Sequence, residues 1–345
     1  MLFYIILVIS LFVCFTLSDY KWQNNYLKKI LLAYPCIILF CISVFRFDIG
    51  YDYPNYYNLI GASFDQLEFE RIEPLAQCIV KIVRYIGEPW LLFVLFGVPT
   101  YFLAFGVCSK TGHFQLAFWI YVFLFLLDSF STIRQAAAIA IIMWAVIYMQ
   151  EKKMFPYVVA CILASLFHSS ALIMLPVYFI YHYGSWRMVL VGMIGFSFLF
   201  QIVISVLVDN DLYASYLKNE NELEGGTLLR YFYIILYIFL FLLSYKRQLV
   251  KENKRFFTAL LPAFFFPFLF GGHIGGRISS YFYVMFLFMI PQILSKCSGK
   301  LRILSMLVLM TFFFAILYIS QKQDKSPFTP YQSIFEVDLE HPKFK

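Results

Sequence analysis

The 345-residue chain is 62% hydrophobic, 21% aromatic and only 14% charged, with a mean hydropathy of +0.76. So low a charged fraction excludes a soluble fold. An open sheet cannot satisfy its backbone in lipid, so apolar runs of roughly 15–20 residues must form helices. The net charge of +7 sits in short loops between those runs, and no basic stripe with interleaved aromatics marks a nucleic-acid surface.

In chain order, the predicted spans are 2–17, 30–45, 90–108, 114–128, 132–149, 155–167, 169–182, 188–208, 229–245, 257–272, 278–294 and 303–320. The first lacks a basic start and a small-residue cleavage site, so it reads as a span and not as a removable signal peptide. LLAYPCIILFCISVF (Leu31 to Phe45) does not alternate, which excludes a β-barrel strand. Segments 18–29, 244–256 and 295–302 each hold three or more lysines and arginines against at most one acid and are expected to be cytoplasmic. Segments 46–73 and 209–230 hold few cations and are expected to be external.

Between them, PLAQCIVKIVRYIG (Pro74 to Gly87) is too short to span and carries Lys81 and Arg84. It is predicted to be an amphipathic or re-entrant helix at the outer interface. The expected architecture is therefore an all-α polytopic membrane protein of about twelve transmembrane helices, with both termini external. One transmembrane domain covers 1–320, with an external loop and re-entrant helix at 46–89 and an external loop at 209–229. A polar C-terminal tail at 321–345 is expected to be loosely ordered. The cysteines Cys14, Cys36, Cys41, Cys78, Cys108, Cys161 and Cys297 form no CxxC pair, so neither a metal site nor a disulfide framework is expected.

Single ionisable groups interrupt the apolar runs, and such residues are expensive in lipid. RFDIGYDYPNYY combines Arg46, Asp48 and Asp52 with Tyr51, Tyr53, Tyr56 and Tyr57. Tyrosine rings and a carboxylate suit a sugar; an interfacial aromatic belt is the plainer reading. Arg134 follows the polar break Asp128-Ser129-Phe130-Ser131-Thr132 and opens the next helix, where its fork suits a phosphate. Gln135 stands beside it; ordinary snorkelling to headgroups is the alternative. His168 falls at a predicted bend with Ser169 and Ser170, either functional or a hydrogen-bonding core histidine. HIGGRISSYF joins His273, Gly275, Gly276, Arg277 and Tyr281 in what reads as an outward turn, with Arg277 fitted to a bidentate phosphate contact. Phosphate loops, HExxH, GxSxG and dinucleotide fingerprints are all absent from the sequence, so no cofactor is expected.

With these residues assembled, the chain resembles the EpsG-like branch of bacterial polysaccharide polymerases, which includes many Wzy-type O-antigen polymerases. RFDIGYDYPNYY, EPL at Glu73–Leu75, IRQAAAIAI at Ile133–Ile141, FHSSALIMLPVYF at Phe167–Phe179 and GGRISSYF at Gly275–Phe282 occur in the family's order over 46–282. The resemblance implies a fold like the C-type membrane glycosyltransferases. It also implies a multi-pass enzyme of the bacterial inner membrane whose periplasmic face joins undecaprenyl-pyrophosphate-linked glycans. Membrane lipid, a chain-length regulator and a flippase are the implied partners, and nucleic acid is not. Family residues carry over as Arg46, Asp52, Arg134, His168 and Arg277, while Tyr51 replaces the family's usual small residue.

Asp52 and His168 are the candidate catalytic residues, with Asp52 preferred as the base. Arg46, Tyr53, Tyr56, Arg134, Gln135, Arg277 and Tyr281 are the candidate substrate-binding residues. Competing readings are another outer-face transferase such as an O-antigen ligase, a polysaccharide flippase or transporter, and an acyltransferase with His168 as base.

Overall fold

The structure, a computed structural model, describes residues 1–19, 25–60, 69–70, 72–207, 225–322 and 326–336. The expected external loop at 209–229 falls mostly outside the described residues, as do 61–68, 71 and the end of the tail from 337. In chain order the helices are α1 (Leu2–Ser18), α2 (Asn25–Val44), α3 (Tyr53–Asn58), α4 (Pro74–Ile86), α5 (Leu91–Lys110), α6 (Phe114–Ser131), α7 (Ile133–Gln150) and α8 (Met154–Ser165). A 3-10 turn (Ser169–Met174) leads to α9 (Val177–Tyr183), α10 (Trp186–Leu207), α11 (Gly225–Lys246) and α12 (Val250–Leu260). A second 3-10 turn (Leu261–Phe264) precedes α13 (Phe266–Leu269), α14 (Gly271–Ser295) and α15 (Gly299–Ser320). Among the described residues there is no sheet, only an isolated antiparallel bridge between Arg46 and Ser333.

The all-α expectation holds, but the expected helix count does not. Among the described residues, six helices are long and apolar enough to cross a membrane: Tyr26–Val44, Leu91–Lys110, Phe114–Ser131, Ile133–Gln150, Ile274–Ser295 and Gly299–Ser320. This corrects the architecture of about twelve transmembrane helices of the C-type glycosyltransferase kind. The physical reason is that several apolar runs are broken. The run 155–182 divides into the 12-residue α8, a 3-10 turn and the 7-residue α9. At about 1.5 Å per residue, α8 reaches only about 18 Å, against a hydrocarbon core of about 30 Å. The run 257–272 divides at Pro262 and Pro267, each at the start of a new short helical piece.

Two compact units form. One comprises Met1–Trp144, Leu163–Ser169 and Ser298–Lys345; the other comprises Ala145–Ile162 and Ser170–Cys297. In the first unit α1 packs on α2, α2 on α5, α5 on α6, and α6 on α15. Rings from α1, α5 and α6 interlock, with Phe15 edge-on to Phe118 at 5.0 Å and Phe105 to Tyr121 at 5.7 Å. Tyr101 and Tyr121 are buried there, and the Tyr101 hydroxyl meets Ser129 Oγ at 2.7 Å.

The segment 326–336 is held against this unit and is not a loose tail. Phe47 N–H donates to the Gln332 carbonyl and Ile334 N–H to Phe45, both at 2.9 Å, while Gly50 N–H donates to Pro327 at 2.6 Å. Tyr331 stacks on Phe3 at 3.9 Å and donates to the Ile42 carbonyl. The loop after α2 has unpaired backbone groups, and the returning chain satisfies them.

In the second unit α14 is central, packed by α11, α12, α13 and the Leu261–Phe264 turn. Gly275 allows this, because a Cβ there would overlap the backbone of Phe266 and Pro267. Ser279 then donates to the Ala263 carbonyl at 2.6 Å. The expected outward turn around Arg277 is therefore corrected: Gly275 and Gly276 are helical, and Gly275 serves close packing.

Candidate active site

Residues singled out in the sequence meet in the first unit around a carboxylate. Glu73 precedes Pro74, whose fixed φ suits the first position of α4. This helix is amphipathic: it buries Ala76, Val80 and Val83 and leaves Lys81, Ile82, Arg84 and Tyr85 exposed. Two bonds fix its start. Leu75 N–H donates to the Leu166 carbonyl at 3.1 Å, and Gln77 Nε2 donates to Ile72 at 2.8 Å.

Glu73 Oε2 pairs with Arg134 NH1 at 2.6 Å, and Oε1 meets His168 Nδ1 at 2.9 Å. Ser169 adds its backbone N–H at 2.9 Å and its hydroxyl at 3.2 Å to the same Oε1. The Glu73, His168 and Arg134 side chains are 10%, 19% and 22% exposed, enough to reach a ligand yet poorly screened. Burial alone would raise the Glu73 pKa. The hydrogen bonds from His168 and Ser169, with the Arg134 charge, outweigh burial and hold it at about 2.

Arg134 occupies the first turn of α7, immediately after the non-helical Thr132. Thr132 Oγ1 donates back to the Asp128 carbonyl at 3.1 Å, closing α6. Beyond its bond to Glu73, Arg134 sits 6.0 Å from the Tyr56 ring centroid, and its Nε is buried with no hydrogen-bond partner among the described residues. Asp52 is half-buried at the N-cap of α3, the helix that carries Tyr56. Tyr53 on α3 is 2% exposed and stacks on Phe93 at 4.6 Å. Gln135 is buried beside Arg134.

Arg46 lies apart from this cluster's polar chemistry, at 1% exposure. Its Nε donates to Ile49 at 3.0 Å and NH2 to Phe130 at 2.9 Å, with NH1 on the Ser43 carbonyl. Its guanidinium is flanked by Phe93 and Phe130 at 4.7 and 5.3 Å. Arg277 and Tyr281 belong to the second unit, on α14, where Ser170 Oγ meets the buried Tyr281 hydroxyl at 3.3 Å. That unit also holds an apolar cavity of about 500 Å³ lined by residues including Ile180, Met193, Phe196 and Phe282, with no carboxylate, histidine or cation in its wall.

Glu73 is the residue that sequence reasoning left out of the site. EPL marked its position, and an acid directly before the proline that opens an amphipathic helix was the available signal. Among the described residues, no group of His, Cys, Asp and Glu is arranged to hold a metal.

What the cluster offers chemically is a guanidinium for an anionic leaving group, an imidazole for proton transfer and a carboxylate that fixes both. No curated protein and no solved structure matches the chain. The sequence profile of the EpsG family matches residues 29–333, a range that contains every residue of this cluster, and the chain belongs to the EpsG family.

Proposed function

We propose that the protein is a glycosyltransferase of the Wzy type. It polymerises oligosaccharide repeat units carried on undecaprenyl pyrophosphate, at the external face of the bacterial inner membrane. Membership of the EpsG family and the polytopic helical architecture support the general polymerase role. The observation that carries the mechanism is the meeting of Arg134, Glu73 and His168, from three separate motifs, in one half-buried cluster.

Polymerisation breaks a sugar–pyrophosphate bond and forms a sugar–sugar bond. Negative charge grows on the departing pyrophosphate, and a preorganised guanidinium in a poorly solvated site stabilises it without reorganisation. Arg134 suits that task, since its Nε is an unengaged buried donor among the described residues. The acceptor hydroxyl must lose its proton as it attacks, to His168 or Asp52. The buried Tyr56 ring lies beside the Arg134 guanidinium, which is 6.0 Å from the ring centroid. Arg46 holds the loop between α2 and α3 from behind. The pathway's chain-length regulator and flippase are the partners this reading implies.

Purified protein in lipid nanodiscs, given purified lipid-linked repeat units and no nucleotide sugar, should yield a ladder of lipid-linked oligomers. Arg134→Ala should abolish the ladder. Transfer of single repeats to a lipid A acceptor without a ladder would overturn the polymerase reading in favour of a ligase. Movement of glycan across vesicle membranes without bond formation would overturn it in favour of a flippase.

A further inference from the structure

We propose that Glu73 is the positioning residue of this transferase: it orients His168 so that Nε2 is the base for the acceptor hydroxyl, and it holds Arg134 for the donor pyrophosphate. This rests on the transfer reading above and assigns the proton acceptor within it.

The argument follows from the hydrogen-bond chemistry of one carboxylate. Ionised Glu73 can only accept. Its Oε1 lies 2.9 Å from His168 Nδ1, so Nδ1 must carry the proton shared in that bond. The neutral imidazole is then fixed as the Nδ1–H tautomer, and its lone pair is on Nε2. Among the described residues, nothing hydrogen-bonds Nε2. Ser169 supplies two further donors to the same oxygen, so Glu73 is immobilised by neighbours and does not depend on His168 for its place. The other oxygen, Oε2, is given to Arg134 at 2.6 Å. A carboxylate so held sets the distance between base and leaving-group cation. An orienting acid behind an imidazole also stabilises the imidazolium formed when the base takes its proton.

Among the described residues, Glu73, before α4, is the ionisable group paired with His168, and its other oxygen is paired with Arg134, on α7. From α5 the contact is aromatic, Phe96 edge-on to Phe167 at 6.0 Å. An ion-pair staple between helix ends is the plainer role for Glu73, and it predicts lost stability with unchanged chemistry.

The test compares full-length wild type, Glu73→Gln, Glu73→Asp, His168→Gln and Asp52→Asn in nanodiscs. Ladder formation is followed across pH, with lipid-linked repeat binding and thermal melting measured on the same samples. Glu73→Gln should lose about 100-fold or more in turnover, the usual scale for a misdirected base, while binding stays within about threefold.

Glu73→Asp retains the charge one carbon further back. It should recover turnover to within about tenfold of wild type, and it serves where the Gln variant misfolds. His168→Gln should match or exceed Glu73→Gln in severity.

Turnover in Glu73→Gln within about threefold of wild type, or a loss in Glu73→Asp as deep as in Glu73→Gln, overturns the positioning role. So does a loss in Asp52→Asn alone. Wild type that makes no ladder refutes the transfer reading and the role of Glu73 with it; a wild-type ladder alongside undiminished turnover in Glu73→Gln refutes Glu73 alone.

Discussion

Arg46→Lys separates a scaffold role from substrate contact at the residue that interrupts the apolar chain first. The guanidinium gives one donor to each of the Ser43, Ile49 and Phe130 carbonyls, all in a buried setting. A lysine keeps the charge but presents a point donor on a flexible stem, and it cannot reproduce a fork that reaches three acceptors. Two carbonyls then remain buried without their donor, at about 1–3 kcal/mol each. Together with the lost stacking between Phe93 and Phe130, the expected destabilisation is about 4 kcal/mol. That is a large part of the 5–15 kcal/mol that typically separates folded from unfolded states.

The assay is denaturant unfolding in detergent, followed by the change in midpoint at constant slope, with binding of lipid-linked repeats measured on folded protein. The expected result is a large midpoint shift with binding preserved in the folded fraction. A midpoint within about 1 kcal/mol of wild type, accompanied by lost binding, would refute the scaffold role and return Arg46 to the substrate.

What the sequence revealed of the fold divides along a physical line. Hydropathy shows that a segment leaves water, but not whether lipid or protein receives it. Leu91–Lys110 and Gly299–Ser320 are both read as spans, and both form helices long and apolar enough to cross a membrane. The run around α8 and α9 is equally apolar, yet it buries Tyr157, Cys161 and Val177 within the protein and is too short to cross. The distinction lies in where prolines and 3-10 turns divide the run, at Pro176, Pro262 and Pro267. Glycines mislead in the same way. Gly275 reads as a turn from sequence, whereas in the structure it is the space that lets α14 meet Phe266 and Pro267.

The candidate site was legible as residue types and illegible as pairs. Arg134 and His168 stand out because ionisable groups are rare in such surroundings. Glu73 does not, because it sits in an acidic segment that reads as a solvated loop. Its partners are 61 and 95 positions away, so no local spacing announces them. Arg46 stands out for the same reason as Arg134, yet its donors meet backbone carbonyls. A buried guanidinium with satisfied forks is structural, whereas Arg134 keeps a buried Nε with no partner among the described residues beside a carboxylate. Sequence gives no access to that difference.

Two further perturbations probe the scaffold around the cluster. Gly50→Ala places a side chain on a residue at φ +109°, where a Cβ would overlap the Phe130 carbonyl. It should destabilise the protein by about 3 kcal/mol or more, seen as a lowered melting temperature and faster proteolysis near residue 50; a wild-type melt would show that the loop between α2 and α3 is not held as described. The pH dependence of stability tests Glu73 itself. Its carboxyl is held at about 2, below the ordinary 4.5, so the folded state binds fewer protons than the unfolded state in that window. Its contribution, about 3 kcal/mol, is complete above pH 4.5 and disappears as pH falls from 4.5 toward 2. Wild type should therefore lose more stability than Glu73→Gln between pH 6 and pH 3, and melting curves that fall in parallel for the two proteins would show that the Glu73 carboxylate is not stabilised by Arg134, His168 and Ser169.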